Sequence, residues 1–141
     1  MKNKILFLGS LCLVLALGLV FTGCDDKAQL VEFATIESPG SVIATYSAVN
    51  DQLTVTWNAV DGAGGYDVVA SQSGKTTYIV LGEGNIVSIA SAYPNVDKWE
   101  GVFTRVSRDY KGKWKIGVVA ISRRLDRNNS NPAWASGTFD F

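Results

Sequence analysis

Four acidic side chains fall within one stretch of the chain and are the first candidates for chemistry: Glu83, Asp97, Glu100 and Asp109. Two carboxyl groups about 5 to 9 Å apart can act together on a glycosidic bond, so a small paired-acid enzyme is one hypothesis. Their spacing does not require such a pair, and solvated loop acids are the simpler interpretation. The chain contains no histidine, which removes Ser-His-Asp triads, histidine-ligated zinc and imidazole acid–base catalysis. We therefore expect no catalytic activity, no metal site and no cofactor.

Four aromatic residues in or beside predicted loops are candidates for binding: Tyr93, Trp99, Tyr110 and Trp134. An exposed ring at such a position could stack on a sugar or anchor a protein partner. The alternative is that these rings cover the edge of an enlarged core. By contrast, Trp57 and Tyr66 alternate in phase with apolar neighbours on predicted strands, so both are predicted to be buried.

The elements that must position these side chains are strands, because the sequence after Pro39-Gly40 alternates between apolar and polar residues. Strands are predicted at 42–46, 53–58, 66–71, 76–81, 86–90, 102–107, 114–122 and 135–141. Turn-forming residues such as Asn50-Asp51 and Ser73-Gly74 separate them. Beyond the N-terminal apolar run, no stretch shows convincing helical periodicity. The pattern predicts an all-β fold in which two antiparallel sheets pack as a sandwich.

The strand sequences resemble those of a fibronectin type III domain. SPGSVIAT at 38–45 is similar to its first strand, LTVTWNAVDGAGGYDVV at 53–69 to its second and third, and WKIGVVAISRRLDRNNSNPAW at 114–134 to its sixth strand and the loop that follows. The resemblance implies a seven-stranded antiparallel β-sandwich, fibronectin type III or immunoglobulin-like, over residues 39–141.

The same resemblance implies a recognition loop at 122–132. Arg123 and Arg124 lie in that loop and could contact a partner, although a solvated loop explains them as well. Trp114 stands where the family carries a tyrosine whose hydroxyl bonds to the backbone. Its indole would need another partner.

The first 23 residues have the layout of a secretory signal peptide. Lys2 and Lys4 precede an apolar run from Ile5 to Phe21, and the small residues Thr22-Gly23 follow it. The run is short and rich in glycine for a membrane-spanning helix, which needs about 20 apolar residues. We therefore predict a signal helix at 1–23 that is removed after export.

Phe21-Thr22-Gly23-Cys24 resembles the lipobox of bacterial lipoproteins. The resemblance implies cleavage between Gly23 and Cys24, a diacylglycerol on the Cys24 thiol and a further acyl chain, such as palmitate, on the new amine. One acyl chain binds a membrane marginally, whereas two or three hold durably, at about 0.8 kcal/mol per buried CH₂. Residues 24–38 would then be a lipidated tether with a possible extra edge strand. The alternative is an ordinary signal peptide followed by a free cysteine.

Charge gives no reason to expect a nucleic-acid partner. The chain has 13 basic and 13 acidic side chains, and removing Lys2 and Lys4 with the first 23 residues leaves 11 basic against 13 acidic, a net charge of −2. No basic block favours polyanion binding.

The sequence therefore predicts a lipoprotein anchored to an inner or outer bacterial membrane. It would present a binding or scaffolding module in the cell envelope to an envelope or extracellular protein. The alternative is a carbohydrate-binding module that uses Tyr93, Trp99 or Trp134.

Overall fold

Two antiparallel sheets face each other within residues 32–82, 84–89 and 97–141, the part of the chain that this computed structural model describes. Phe33–Phe141 forms one compact unit. The predictions for the signal peptide, for Cys24 and for Tyr93 fall outside the described residues.

The first sheet contains β1 (Ile43–Ser47), β2 (Gln52–Asn58), β5 (Gly84–Ile89) and β6 (Lys98–Thr104), in the order β1-β2-β6-β5. The second contains β3 (Ala63–Gln72), β4 (Ile79–Val80), β7 (Lys113–Ser122), β8 (Ala133–Trp134) and β9 (Phe139–Asp140), in the order β4-β3-β7-β8 with β9 also on β7. A four-residue helix, α1 (Val106–Asp109), follows β6. The order of the first sheet corresponds to the A-B-E-D sheet of immunoglobulin-like sandwiches.

The core lies between the sheets, because alternate residues of their long strands point inward. Buried residues come from β2 (Leu53, Val55, Trp57), β3 (Tyr66, Val68, Ala70), β6 (Phe103) and β7 (Ile116, Val118, Ala120). The rings of Trp57 and Tyr66 meet across the two sheets at a centroid distance of 5.4 Å. The predicted all-β sandwich is confirmed, and so is the burial of both rings.

The strand count differs from the seven that the fibronectin type III resemblance implies, because the described residues form nine strands, three of them only two residues long. Of the single last strand predicted at 135–141, only β9 forms, and β8 lies before that range; Gly137 has a φ of 87° and breaks the extended backbone between them. The strand predicted at 102–107 ends early for a similar reason. Arg105 has a φ of 59° and turns the chain into α1.

At the position where fibronectin type III domains carry the tyrosine, the indole of Trp114 makes a backbone hydrogen bond in place of the tyrosine hydroxyl. Its indole Nε1–H donates to the carbonyl oxygen of Lys111 at 3.0 Å, three residues upstream. The ring of Tyr110 packs edge-on against it at 5.8 Å. An N–H donor therefore makes the local backbone contact that an O–H makes in the family.

Residues 33–38, predicted as the end of a tether, lie against the loop between β7 and β8. Asn128 exchanges hydrogen bonds with this segment: its N–H donates to Ala34 O at 3.0 Å, its Nδ2 donates to Phe33 O at 2.9 Å, and its own carbonyl accepts from Ile36 N–H at 3.2 Å. The Ser38 hydroxyl donates to Asn131 O at 2.9 Å. Because Ile36 is also buried in the core cluster, the chain joins the domain at the end that carries this loop.

Asp51 connects the turn between β1 and β2 to helix α1. Its Oδ1 accepts hydrogen bonds from the Tyr46 hydroxyl at 3.0 Å and from the Ser107 N–H at 2.8 Å, and its Oδ2 accepts from the Ser107 hydroxyl at 2.9 Å. Hydrogen bonding to the charged form, led by the Ser107 backbone N–H, lowers the pKa of Asp51. The carboxylate thus satisfies one of the free N–H groups at the start of the helix.

We expect Asp51→Asn to lower the thermal midpoint of unfolding near neutral pH, because one of its two acceptor oxygens becomes a donor. The folded pKa of Asp51 lies below its ordinary value of 3.8. The stabilising contribution is therefore fully present above that value and is lost as the pH falls through the lower, folded pKa. The difference between wild type and variant should shrink in thermal melts at decreasing pH. Asp61→Asn, at the opposite end, removes a carboxylate that has no such contact with the helix and serves as the control near neutral pH; a pH-independent deficit for Asp51→Asn would contradict this role.

Candidate functional site

The structure separates the aromatic residues that the sequence singled out. Trp99 lies on β6 directly opposite Trp57 of β2, so its ring faces the core. It is half-buried against the ring of Tyr66, at a centroid distance of 5.1 Å. Trp134 lies on β8 of the other sheet and is 40% exposed. Among the described candidates, Trp134 alone presents a largely accessible ring.

Trp134 has a partner ring that the sequence analysis missed. Tyr78, just before β4, is 45% exposed, and its ring meets that of Trp134 at 6.3 Å and an angle of 73°. Trp134 pairs with Gly117, and Val80 pairs with Val69. We call Tyr78, Val80 and Trp134 the aromatic face, because together they cover the outer side of the second sheet.

The register of β3 and β7 places this face away from the core. Val68 pairs with Val118, and both point inward, so Val69 and its partner Gly117 point outward. Val69 is nevertheless fully buried. An outward valine can only be shielded by neighbours on the same side of the sheet, which here are the side chains of the aromatic face.

Gly117 makes room for the indole. A Cβ atom at this position would lie 2.6 Å from Cε3 of Trp134 and 2.8 Å from the carbonyl oxygen of Ala133. The tryptophan can therefore approach the sheet only where the facing strand has no side chain. This close approach fixes the orientation of the indole on the surface.

The segment that carries Tyr78 is an exposed edge of the second sheet. Only Ile79 and Val80 pair with β3, and residues 76–81 contain no charged side chain. The Ser71 hydroxyl lies within hydrogen-bond distance of the carbonyl oxygens of Lys75 at 3.2 Å and Thr77 at 2.9 Å, which holds the start of the segment on β3. In the sequence, the feature that could have indicated this surface is the run at 78–81, where consecutive apolar residues place apolar side chains on both faces of a strand.

The two predicted arginines are engaged within their own loop. Arg124 makes a two-pronged ion pair with Asp126, with contacts of 2.8 and 2.6 Å, and this hydrogen bonding lowers the pKa of Asp126. Arg123 donates from Nη2 to the carbonyl oxygen of Ala63 at 3.2 Å. Leu125, between Arg124 and Asp126, is fully exposed, at 101% of its reference area. The loop is thus organised around an apolar tip.

Within residues 32–82, 84–89 and 97–141, no cluster of three or more His, Cys, Asp or Glu side chains is arranged to hold a metal ion. In the same part of the chain, no helix has the length and apolarity needed to cross a membrane. Of the acids considered for catalysis, Asp109 is paired with Arg108 at 2.9 Å. That hydrogen bond lowers the pKa of Asp109, whereas a general acid needs a raised one.

No protein-family model matches the chain, and no curated protein matches it. Among solved structures, the chain is similar to a Fn3-like protein from Clostridium thermocellum, at 24% sequence identity and a TM-score of 0.44, over 72% of this chain and 92% of that chain. The pairing and order of the strands given above define the fold as a sandwich of two sheets.

Gly117→Ala tests whether the glycine seats Trp134. The added methyl group should displace the indole and the β8 backbone, and we expect a loss of about 1–3 kcal/mol in the free energy of unfolding, typical of overpacking. Acrylamide quenching of tryptophan fluorescence should also increase. Gly65→Ala is the matched control on the neighbouring strand, because a Cβ there meets no atom within 4 Å. Wild-type stability and quenching in Gly117→Ala would contradict the contact.

Proposed function

We propose that this chain is a bacterial lipoprotein anchored through Cys24, which presents the aromatic face to a protein partner in the cell envelope. The observation that carries the binding role is the pair of exposed rings, Tyr78 and Trp134, held together on a sheet face outside the core. The anchor is supported by the sequence of residues 1–24. The protein would act by binding and positioning, without catalysis.

The aromatic face has the composition of a protein-binding hot spot. Tryptophan and tyrosine are enriched at such centres, because a rigid ring buries a large area at a small cost in conformational entropy. Trp134 and Tyr78 already lie in contact with each other, and Trp134 is backed by a strand that gives it no room to move inward. A partner would therefore meet a surface that needs little reordering.

The ring geometry favours a protein over a sugar. A flat sugar platform requires rings presented in one plane, whereas Tyr78 and Trp134 meet at 73°. Trp99, the other tryptophan considered for sugar binding, is half-buried on the opposite sheet. The adjacent edge of β4 also offers backbone groups to an extended segment of a partner, which is a common mode of peptide recognition.

The anchor increases the effect of a modest binding surface. Confinement to a membrane raises the local concentration of the domain toward neighbours in the same envelope, so that weak contacts become significantly occupied. A binding module with one small aromatic patch suits that setting.

Cys24→Ser should abolish attachment in the native bacterium. We expect the wild-type protein in the membrane fraction, with an N-terminal peptide starting at residue 24 whose mass includes the acyl chains. The variant should remain uncut and unacylated. Cys12→Ser is the matched control, because Cys12 lies within the apolar run, and it should behave as wild type. An unmodified Cys24 in the mature protein would refute the anchor.

Trp134→Ser should weaken partner binding at least tenfold, the effect expected when a hot-spot side chain is removed. Binding can be measured by quantitative crosslinking in the native envelope, with the crosslinked partner then purified for titration. Phe33→Ser is the control, since the exposed fraction of Phe33, 42%, is similar to the 40% of Trp134, but Phe33 lies outside the aromatic face. Equal losses in both variants would argue against this face. Glycan-array binding that depends on Trp134 would favour the carbohydrate-binding alternative.

A further inference from the structure

The end of the domain where the chain enters also carries an exposed leucine. Residues 33–38 hydrogen-bond to Asn128 and Asn131 of the loop between β7 and β8. Leu125, in the same loop, projects fully into solvent. The loop also contacts the turn between β2 and β3, where the Arg123 N–H donates to Gly62 O at 3.0 Å. We call this end, formed by residues 33–38, 60–62 and 122–132, the chain-entry pole.

The covalent connection limits how far this pole can lie from an anchor at Cys24. Phe33 lies nine positions after Cys24, and a fully extended chain spans about 3.3–3.6 Å per residue, so the separation cannot exceed roughly 32 Å. The opposite end of the domain is about one strand length from this pole, so the tether allows it to lie that much farther from the anchor than the pole itself can. Strand β2 has seven residues, which is about 23 Å.

We propose that the chain-entry pole faces the lipid bilayer and that Leu125 inserts into its headgroup region. This inference rests on the proposed anchor at Cys24, and it adds an orientation and a second, noncovalent contact with lipid. Leu125 is presented by a turn whose shape is held by the Arg124–Asp126 ion pair. The arginines of the same loop, Arg123, Arg124 and Arg127, have alkyl stems that can lie along the membrane surface while their charges stay in water.

The contact depends on apolar insertion and not on net charge. The loop and the groove beside it carry three cations and three anions: Arg123, Arg124 and Arg127 against Glu37, Asp61 and Asp126. These charges cancel, so attraction to anionic lipid adds little and raised salt should not release the loop. One leucine gives only weak binding by itself, but the tether keeps it at the surface.

Val49 provides a matched control at the other end. It lies in the turn between β1 and β2, is 95% exposed, and is apolar like Leu125. Because β2 runs from this turn toward the chain-entry pole, the two side chains lie at opposite ends of the sandwich, Val49 on the first sheet and Leu125 on the second. Val49 and Leu125 are nearly equal in exposure and are both aliphatic, so the two variants differ mainly in where the substituted residue lies in the domain.

The test uses residues 24–141 coupled through the Cys24 thiol to a maleimide lipid in vesicles of phosphatidylethanolamine and phosphatidylglycerol. A photoreactive p-benzoylphenylalanine replaces Leu125 in one variant and Val49 in another, and lipid adducts are counted by mass spectrometry after illumination. We expect several-fold more lipid adduct at position 125, with no large change at high salt.

Chemical coupling makes this result independent of whether cells acylate Cys24, so failure of the orientation and failure of the natural anchor are distinguishable. Equal adduct yields at the two positions would overturn the proposal. So would a loss of adduct at 125 in high salt, which would indicate a charge-driven contact. Crosslinking of position 125 to a protein instead of lipid, in the native envelope, would make the pole a protein-binding site and would also overturn it.

Discussion

The antiparallel pairing of β3 with β7 is the constraint on which the rest of the structure depends. The pairing extends from Ala63, which lies opposite Ser122, to Gln72, which lies opposite Trp114. Side chains alternate between the two sides of this ladder. Its inner side supplies half of the core. Its outer side carries Val69 and Gly117, on which Trp134 rests. A one-residue slip of β7 would exchange its two sides, placing Gly117 in the core and exposing the buried Val118.

The same ladder also determines what lies at each end of the domain. At one end of the ladder, β7 leads into the loop that carries Leu125, and this loop hydrogen-bonds to residues 33–38. At the other end it begins beside Trp114, whose indole bonds to Lys111, and near the helix that Asp51 ties to the first hairpin. Each end is therefore stabilised by a specific polar contact, while the middle is held by apolar burial. This division is typical of sandwiches, in which loops can vary without disturbing the core.

The proposed function uses these surfaces separately. The aromatic face lies on the flat side of the sandwich, whereas the chain-entry pole lies at its end, so a bilayer at the pole would leave the face accessible to a neighbour in the same envelope. Anchoring would then do more than hold the protein in place, since it would also orient the binding surface parallel to the membrane normal. Such an arrangement compensates for a small patch, because orientation and local concentration both reduce the entropy lost on binding.

The order of residue types along the chain was sufficient for some of these conclusions. Period-two alternation in β2, β3 and β7 predicted an all-β sandwich, because a strand must place alternate side chains on opposite faces. The prediction of a signal peptide and of acylation at Cys24 likewise rests on the sequence alone, since such processing acts on an extended chain. Only the tertiary structure decided which aromatic rings are accessible. Trp99 and Trp134 both lie in or beside predicted loops, but their accessibility depends on the strand that pairs with each. Trp99 faces Trp57 and the core, whereas Trp134 lies over a glycine on the outer side and meets Tyr78, 56 positions earlier in the chain. Such long-range pairings are set by the packing of whole sheets and leave no local pattern in the sequence.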